Sequence, residues 1–288
     1  MNCRVCKHDI MNNETITLTD HITKIGEEFN YIRCERCGSL SIMAVPVDMG
    51  QYYGENYYSY QWNEDKPIEL GKFYCATHLI EACKLTEKSK VLDWGCGTGE
   101  LLHAFYERGV GEAGKTHLLR GYEPFSEPVT YKNGIKVQNT IPNDTKFTLV
   151  ISNHSLEHTP DFTAELKKIY ECVEEGGYVY IGLPVLDCFC FGYFREHYAN
   201  LDAPRHLAIP TVNAIKEAVT SVGFKDIKAV TEQTEWGLYF SVGYQSGRLY
   251  KEMVGETPEE EKRSVVESGS RFLTALQLGD TISIIARK

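Results

Sequence analysis

The chain has 288 residues, a length that suggests one large domain or two unequal ones. Apolar residues make up 42% and charged residues 24%, which is globular composition and excludes disordered and low-complexity classes. The formal net charge of −10 disfavours a broad nucleic-acid surface, although a few local basic groups can still hold a small anionic substrate.

No segment of the sequence predicts a membrane span or a signal peptide. The N-terminus has no apolar run, and the most membrane-like stretch, Gly177–Phe194, contains Pro184 and Asp187. We expect a buried strand followed by an aromatic loop there. The chain therefore reads as soluble and cytoplasmic, where its ten cysteines stay reduced.

Residues 1–50 form a polar segment that carries four cysteines in two pairs. Cys3 and Cys6 form one Cys-x-x-Cys turn, Cys34 and Cys37 form the other, and 27 residues separate them. Such turns aim both sulfurs at one point, so the pairs predict a tetrahedral Zn²⁺ site with four protein ligands. Zinc of this kind is structural and supplies folding energy to a small zinc-ribbon-like segment. Four unrelated cysteines or two disulfides are the alternatives.

Residues 51–84 are predicted to form a Tyr-rich linker and a leading helix. Tyr57 and Tyr58 lie in this linker. They either line the entrance to a ligand site or pack the linker itself.

Strand and helix patterns alternate along the rest of the chain, residues 85–288. Predicted strands are Thr15–Thr19 in the first segment and then Lys90–Trp94, His117–Tyr122, Ile135–Val137, Phe147–Ser152, Tyr178–Leu183, Ile227–Val230 and Asp280–Lys288. This alternation predicts an α/β fold with a mostly parallel sheet, whose ligands lie at the carboxyl ends of the strands.

The helices between these strands carry capping and stop residues. One helix is expected to begin after a Thr159 cap and to stop at Gly176-Gly177. A second begins after Thr211 and ends at Gly223. Residues 237–276 predict a helical insertion before the last strand, and its charge run Glu256–Arg263 predicts a solvated face.

A glycine loop follows the first strand of this region. In Asp93-Trp94-Gly95-Cys96-Gly97-Thr98-Gly99 the glycines let backbone N–H groups approach a ligand at a helix N-terminus. The dinucleotide pattern needs a glycine where Glu100 stands, and Asp93 disfavours a pyrophosphate. A ligand with both an amino group and a carboxylate suits this loop. Glu123 ends the next strand, where a carboxylate accepts from two ribose hydroxyls, unless it is only a loop acid.

These motifs resemble those of the class I S-adenosylmethionine-dependent methyltransferases. The resemblance rests on Val91–Gly99, on Glu123 and on the run Ser155–Asp161 after the fourth strand. It implies a Rossmann-like, seven-stranded sheet whose last strand is antiparallel. It also implies that Asp93 and the glycines hold the methionine part of the cofactor and that Glu123 holds its ribose. The expected cofactor-binding residues are Asp93, Gly95, Cys96, Gly97, Gly99, Glu123, Pro124, Asn153 and His154.

The front of the chain resembles a zinc-bearing subfamily of sugar and surface-polysaccharide methyltransferases. The cysteine pairs, the Tyr-rich linker and Asn200–Leu207 carry this resemblance. It implies a sugar or nucleotide-sugar acceptor, neutral or anionic. The net charge of −10 excludes nucleic acid as the expected partner. Keto-sugar C-methyltransferases of this kind have a long additional C-terminal domain that this sequence lacks, so O-methylation is at least as well supported.

Two polar clusters follow neighbouring strands and predict the acceptor side of the site. Transfer to oxygen or carbon benefits from a base tuned near neutral pH, and His158 is the base candidate that matches the family. His206 is the second base candidate, and Glu157 joins them as a catalytic residue. His197, Tyr198 and Arg205 are predicted to bind the acceptor, with Arg205 anchoring an anionic group. Packing at a helix start and ordinary loop polarity are the alternatives.

Two other functions are compatible with parts of this pattern. One is a dinucleotide-dependent oxidoreductase, which Glu100 disfavours. The other is a zinc-containing binding module whose methyltransferase-like domain no longer reacts.

Overall fold

The computed structural model describes residues 1–11, 13–23, 27–53, 61–111, 118–254 and 260–288. The tyrosine pair Tyr57 and Tyr58 lies outside these residues, as do His117 at the start of one predicted strand and the beginning of the predicted charge run.

Twelve strands occupy the described ranges. They are β1 Thr15–Thr19, β2 Glu28–Arg33, β3 Leu40–Ile42, β4 Val91–Trp94, β5 Leu119–Tyr122, β6 Val129–Thr130, β7 Lys136–Gln138, β8 Phe147–Asn153, β9 Val173–Pro184, β10 Ala208–Ile209, β11 Lys225–Glu232 and β12 Thr281–Arg287.

Eight α-helices accompany the strands in the part of the chain that the structure describes. They are α1 Leu70–Cys83, α2 Glu100–Glu107, α3 Phe162–Cys172, α4 Phe189–Phe194, α5 Val212–Ser221, α6 Glu235–Gln245, α7 Tyr250–Met253 and α8 Glu260–Ala275. None of the described helices is long and apolar enough to cross a membrane.

The main sheet has the order β11-β12-β9-β8-β4-β5-β7-β6. The pairs β9–β8, β8–β4, β4–β5 and β5–β7 are parallel, and β12 runs antiparallel to both of its neighbours. This confirms the α/β methyltransferase fold with an antiparallel last strand. The sheet has eight strands rather than seven because β6, only two residues long, pairs with β7 at the edge.

A second sheet has the order β1-β2-β3-β10. Its first three strands come from the cysteine-bearing segment, whereas β10 comes from the middle of the chain and pairs antiparallel with β3. One apolar cluster joins both regions, with Tyr31 and Leu40 of the N-terminal sheet packed in the same core as Leu92 and Val150. The cysteine-bearing segment is therefore packed on the main domain.

Two helix boundaries differ from the sequence-based expectation. The cap of α3 is Asp161, whose side chain accepts from the Ala164 N–H at 2.9 Å, whereas the Thr159 hydroxyl donates to the Leu156 carbonyl. Gly176 and Gly177 lie inside β9 because α3 ends at Cys172 and the strand begins at once. The expected Thr211 cap of α5 is confirmed.

Candidate active site

The glycine loop lies between the end of β4 and the start of α2. Gly95, Gly97 and Gly99 have φ angles of +73°, +53° and +78°, a region that glycine tolerates and other residues rarely adopt. A Cβ atom added to Gly95 would lie 2.4 Å from the Ser155 Cβ. The loop is thus built for close backbone approach, and it touches the segment that follows β8.

Two carboxylates flank this loop. Glu123 Oε2 accepts from the Gly97 N–H at 2.9 Å and Oε1 accepts from the Phe125 N–H at 3.4 Å. Burial raises the pKa of Glu123, and burial together with the charge of Glu123 raises the pKa of Asp93 to about 7. Such buried carboxylates are stabilised by a ligand that brings hydroxyl donors and a positive charge.

The donor set fits S-adenosylmethionine. Its methionine ammonium suits the buried Asp93, its ribose hydroxyls suit the lone pairs that Glu123 retains, and the glycines leave room for its approach. Asn153 ends β8 beside this loop, and Pro124 is exposed in the turn after β5. The Cys96 side chain instead packs inward, because a Cβ on Gly121 would lie 2.4 Å from its Sγ.

Glu157, His158 and His206 form what we call the acceptor cluster. Glu157 and His158 belong to a short 3-10 turn directly after β8, and His206 lies just before β10. The Leu207 N–H donates to the Glu157 carbonyl at 2.7 Å and ties the two segments together. One ligand-type atom from each of the three side chains lies within 4.8 Å of the others. The structure therefore brings all three predicted catalytic residues together.

Backbone carbonyls determine which ring nitrogen carries the hydrogen in both imidazoles of the acceptor cluster. His158 Nδ1 lies 2.9 Å from the Arg205 carbonyl oxygen, and His206 Nδ1 lies 2.7 Å from that of Asn200. Because a carbonyl oxygen only accepts, Nδ1 carries the proton in each ring. When either ring is neutral, Nε2 is then its lone-pair nitrogen. The Tyr53 hydroxyl also contacts His158 Nδ1, at 3.2 Å.

Glu157 is the most deeply buried member of the acceptor cluster. Its side chain is 0% exposed, and neither carboxylate oxygen has a hydrogen-bond partner among the described residues. Burial opposes its ionisation, but the imidazoles of His154, His158 and His206 lower the pKa of Glu157 to about 2. Burial and the neighbouring His206 lower the pKa of His158 to about 4. The pKa of each of these two neighbours therefore depends on the charge of the other and on that of His206.

His154 follows β8 directly and contacts the acceptor cluster. Its backbone has a φ of +53°, which is uncommon for a residue with a side chain, and its N–H donates to the Gly182 carbonyl at 2.7 Å. Its Nδ1 lies 3.2 Å from Glu157 Oε1, and its side chain is 41% exposed. This histidine was expected to contact the cofactor, and the structure also sets its ring against Glu157.

Arg205 points into the protein, which corrects the expected direct contact with an anionic acceptor. Its side chain is 0% exposed, and all five of its N–H donors have partners. Nη2 donates to Asp20 at 2.8 Å and to Asp202 at 2.6 Å, Nε donates to Asp202 at 3.0 Å, and Nη1 donates to Asp20 at 3.3 Å and to the Tyr52 carbonyl at 3.0 Å. The ion pair instead joins the N-terminal segment to the loop that holds His206.

The other two residues predicted to bind the acceptor, His197 and Tyr198, also lie outside the acceptor cluster. Tyr198 is buried, and its hydroxyl donates to the Val185 and Asp280 carbonyls at 3.2 and 3.0 Å, so it too is corrected from a substrate contact to a packing residue. His197 is partly exposed, and its ring lies 6.1 Å from that of His21.

Sequence reasoning missed Asp20, Tyr53 and Asp202. Asp20 is 185 positions from its partner Arg205, so no local pattern reveals the pair. Asp202 lies three residues before Arg205 within Asn200–Leu207, the stretch that resembles sugar methyltransferases. This short spacing of opposite charges is the sequence signal that indicates their ion pair.

The four cysteines of the N-terminal segment converge on one point. The Sγ atoms of Cys3 and Cys37 lie 3.7 Å apart, as do those of Cys6 and Cys34, and none of the four is in a disulfide. Zn–S bonds of about 2.3 Å in a tetrahedron separate the sulfurs by about 3.8 Å, so the spacing fits zinc. The hydrogen bond from Cys3 lowers the pKa of the Cys37 thiol to about 4.

The cysteine cluster and the acceptor cluster are connected through the second sheet. The Thr211 hydroxyl donates to the Cys37 carbonyl at 2.8 Å, and the Tyr31 hydroxyl donates to the His206 carbonyl at 2.8 Å. Since β10 begins two residues after His206, the sheet that carries the cysteines also holds the backbone of the acceptor cluster.

Comparison with known proteins gives one family and many similar folds. A family described as "Methyltransferase domain" matches residues 69–229. A search of curated proteins finds no match. Phosphoethanolamine N-methyltransferase 2 of Haemonchus contortus is 14% identical, with 98% of this chain and 71% of that chain covered and a TM-score of 0.50. A putative sarcosine dimethylglycine methyltransferase of Galdieria sulphuraria is 11% identical, with 76% and 86% covered and a TM-score of 0.48. A methyltransferase of Archaeoglobus fulgidus is 20% identical, with 75% and 94% covered and a TM-score of 0.45.

Proposed function

The chain belongs to the methyltransferase family, and we propose that this S-adenosylmethionine-dependent enzyme methylates a small-molecule acceptor, a sugar or a nucleotide-sugar. The sugar assignment rests on the resemblance of the cysteine pairs and of Asn200–Leu207 to sugar-pathway methyltransferases. A buried, polar acceptor cluster supports it, because a hydroxyl-rich acceptor can satisfy such groups.

The glycine loop and its two carboxylates are the proposed cofactor site. Asp93 holds the methionine ammonium, the backbone of the glycine loop faces the carboxylate, and Glu123 accepts from the ribose. S-adenosylmethionine supplies an activated methyl group when bound, so holding donor and acceptor in line gives much of the rate.

One contact supports the proposal that the glycine loop and the acceptor cluster work together at the same edge of the main sheet. The Ser155 hydroxyl donates to the Trp94 carbonyl at 2.9 Å, and its Cβ fills the space that a side chain at Gly95 would need. Because Ser155 is two residues before Glu157, the acceptor cluster and the glycine loop share the carboxyl edge of β4 and β8. A methyl donor in the loop therefore lies close to an acceptor at the cluster.

Two nitrogen atoms of the acceptor cluster are candidates to take the proton that the substrate loses on methylation. Nε2 of His158 and Nε2 of His206 carry lone pairs when their rings are neutral. Either one fits the role of base predicted from the sequence, with Glu157 stabilising the imidazolium that forms.

Cofactor binding is tested with a pair of matched glutamate variants. Glu123→Ala removes a charge-assisted hydrogen bond worth about 1.5–3 kcal/mol, so isothermal titration should show an affinity for S-adenosylmethionine that is about 10- to 100-fold weaker. Glu127→Ala, at an exposed position four residues further on, should bind like the parent. Equal affinities for all three proteins would place the ribose elsewhere.

Turnover is tested with a panel of sugars and nucleotide-sugars. Formation of S-adenosylhomocysteine with one of them, and a methylated product in mass spectrometry, is the expected result. Binding of the cofactor without turnover on any acceptor would favour the non-reacting binding module, and binding of NAD in its place would favour the oxidoreductase.

We also propose that the four cysteines hold structural Zn²⁺ and that the protein works in the cytoplasm. The sulfur spacing supports the zinc, and ten free cysteines support a reducing compartment.

A further inference from the structure

We propose that the acceptor cluster, Glu157 with His158 and His206, binds a divalent cation of the first transition row. The inference deepens the proposed function and rests on it only for the identity of the acceptor. Its starting point is the Glu157 carboxylate, which is fully buried; His154 Nδ1 lies 3.2 Å from its Oε1, but neither oxygen has a partner with hydrogen-bond geometry in the described part of the chain. A buried polar group of this kind is costly unless a ligand satisfies it.

The charges around this carboxylate do not balance. Asp20, Glu157 and Asp202 contribute three carboxylates with buried side chains, and Arg205 contributes one guanidinium, which is paired with the two aspartates and also donates to the Tyr52 carbonyl. The carboxylates and the guanidinium alone sum to an excess of two negative charges, and the imidazoles of His154, His158 and His206 are the basic side chains around Glu157. A divalent cation at the acceptor cluster supplies the missing charge.

The side chains of His206, Glu157 and Asp202 are too far apart to be joined by shared protons. His206 Nε2 lies 4.0 Å from Glu157 Oε1 and 3.8 Å from Asp202 Oδ2, and both distances are too long for hydrogen bonds. A metal at about 2.1 Å from nitrogen and from oxygen separates two ligand atoms by about 3.4 Å in a tetrahedral site. The 4.0 Å separation of His206 and Glu157 is about 0.6 Å wider than such a site needs. One ligand-type atom of His158 lies within 4.8 Å of the other two.

The surroundings of both histidines are those of metal ligands. Ligating histidines nearly always donate their other ring N–H to a carbonyl or a carboxylate, which fixes the ring and turns the second nitrogen to the metal. His158 does so to the Arg205 carbonyl and His206 does so to the Asn200 carbonyl. Both Nε2 lone pairs are thereby prepared for ligation.

The donor set also limits the kind of cation. Two imidazoles and one carboxylate suit zinc, iron, cobalt or manganese better than calcium or magnesium, which prefer oxygen ligands. Three protein ligands leave coordination positions open, and hydroxyl or carboxylate oxygens of an acceptor suit those positions. Ligation uses the same Nε2 lone pairs as the proposed base, so a dependence of turnover on the cation distinguishes the two roles.

The test is a titration of the whole protein with Co²⁺ after metal has been stripped and one equivalent of zinc, which the four thiolates bind first, has been added back. We expect one further equivalent of Co²⁺ to bind, with visible ligand-field absorption but without the thiolate-to-cobalt charge transfer of a cysteine site. Glu157→Gln and His206→Gln should each weaken this binding by more than about tenfold. The matched control, His78→Gln, changes an exposed histidine of α1 and should bind like the parent.

Binding of S-adenosylmethionine is measured on every variant to show that the fold and the glycine loop are intact. Absence of the further Co²⁺ equivalent in parent protein that binds the cofactor would overturn the inference. So would Co²⁺ binding that both cluster variants retain. If Co²⁺ binds as expected but no acceptor is methylated, the metal site stands and the proposed function fails. If turnover is the same with and without the cation, the proposed function stands and the role of the metal in acceptor binding fails.

Discussion

Arg205→Met removes the buried guanidinium between Asp20 and Asp202 while keeping a side chain of similar length. Both carboxylates are then left inside the protein without their cation. Breaking a buried ion pair by removing one partner costs about 3–5 kcal/mol. This is a large share of the total stability of a domain, about 5–15 kcal/mol. We therefore expect a marked loss of stability rather than only a higher Michaelis constant for the acceptor.

Urea unfolding followed by tryptophan fluorescence measures this loss. The control is Arg263→Met, which removes one partner of Glu267 on α8 at a site where the arginine side chain is 65% exposed. An exposed pair contributes at most about 1 kcal/mol, so the control should unfold close to the parent. The double variant Arg205→Met with Asp20→Asn should recover part of the loss, because one unpaired carboxylate is removed.

A parent-like urea midpoint for Arg205→Met would refute this reasoning. Combined with a raised Michaelis constant for the acceptor, it would show that Arg205 acts on the substrate itself, as the sequence suggested. A loss of stability with an unchanged Michaelis constant would confirm the structural role.

Three further predictions concern the metal, the cofactor loop and the base. Elemental analysis should find zinc bound by the cysteine cluster, with Cys34→Ser losing one equivalent relative to the parent and Cys75→Ser, on α1, losing none; equal zinc contents in Cys34→Ser and the parent would contradict the assignment. Because the pKa of Asp93 is raised to about 7, the free protein takes up a proton there as the pH falls. Titration calorimetry should therefore show S-adenosylmethionine affinity falling below that pH, by at most about tenfold per unit, and a pH-independent affinity for Asp93→Asn; the same slope in both would exclude Asp93. His158→Ala and His206→Ala should leave cofactor affinity nearly unchanged, and at least one should lower the rate of S-adenosylhomocysteine formation by about 10²- to 10⁴-fold. Normal rates in both would show that neither histidine is needed for transfer.

Short-range patterns were enough to predict much of this fold. The alternation of strands and helices predicts the parallel sheet, and Thr15–Thr19 is a strand with the expected bounds. The spacing of the cysteine pairs correctly predicts their convergence, because a two-residue gap forces both sulfurs to one side of a turn.

Features that depend on distant contacts were not accessible in this way. β10 is two residues long and becomes a strand only because β3 offers its free edge. Likewise, the polarity of Arg205 suggests exposure, and only the fold reveals Asp20 beside it. The Asp161 cap was misplaced by two residues because Thr159 is an equally good capping residue by type.

The shared sheet has a practical consequence for dissecting the protein. A fragment beginning at residue 69, where the family match begins, would lose β1, β2 and β3. β10 would then have an unpaired edge, and Arg205 would keep only Asp202 of its two carboxylate partners. Inactivity of such a fragment would report a distorted His206 loop rather than a missing catalytic group, so truncation is a poor way to map this active site.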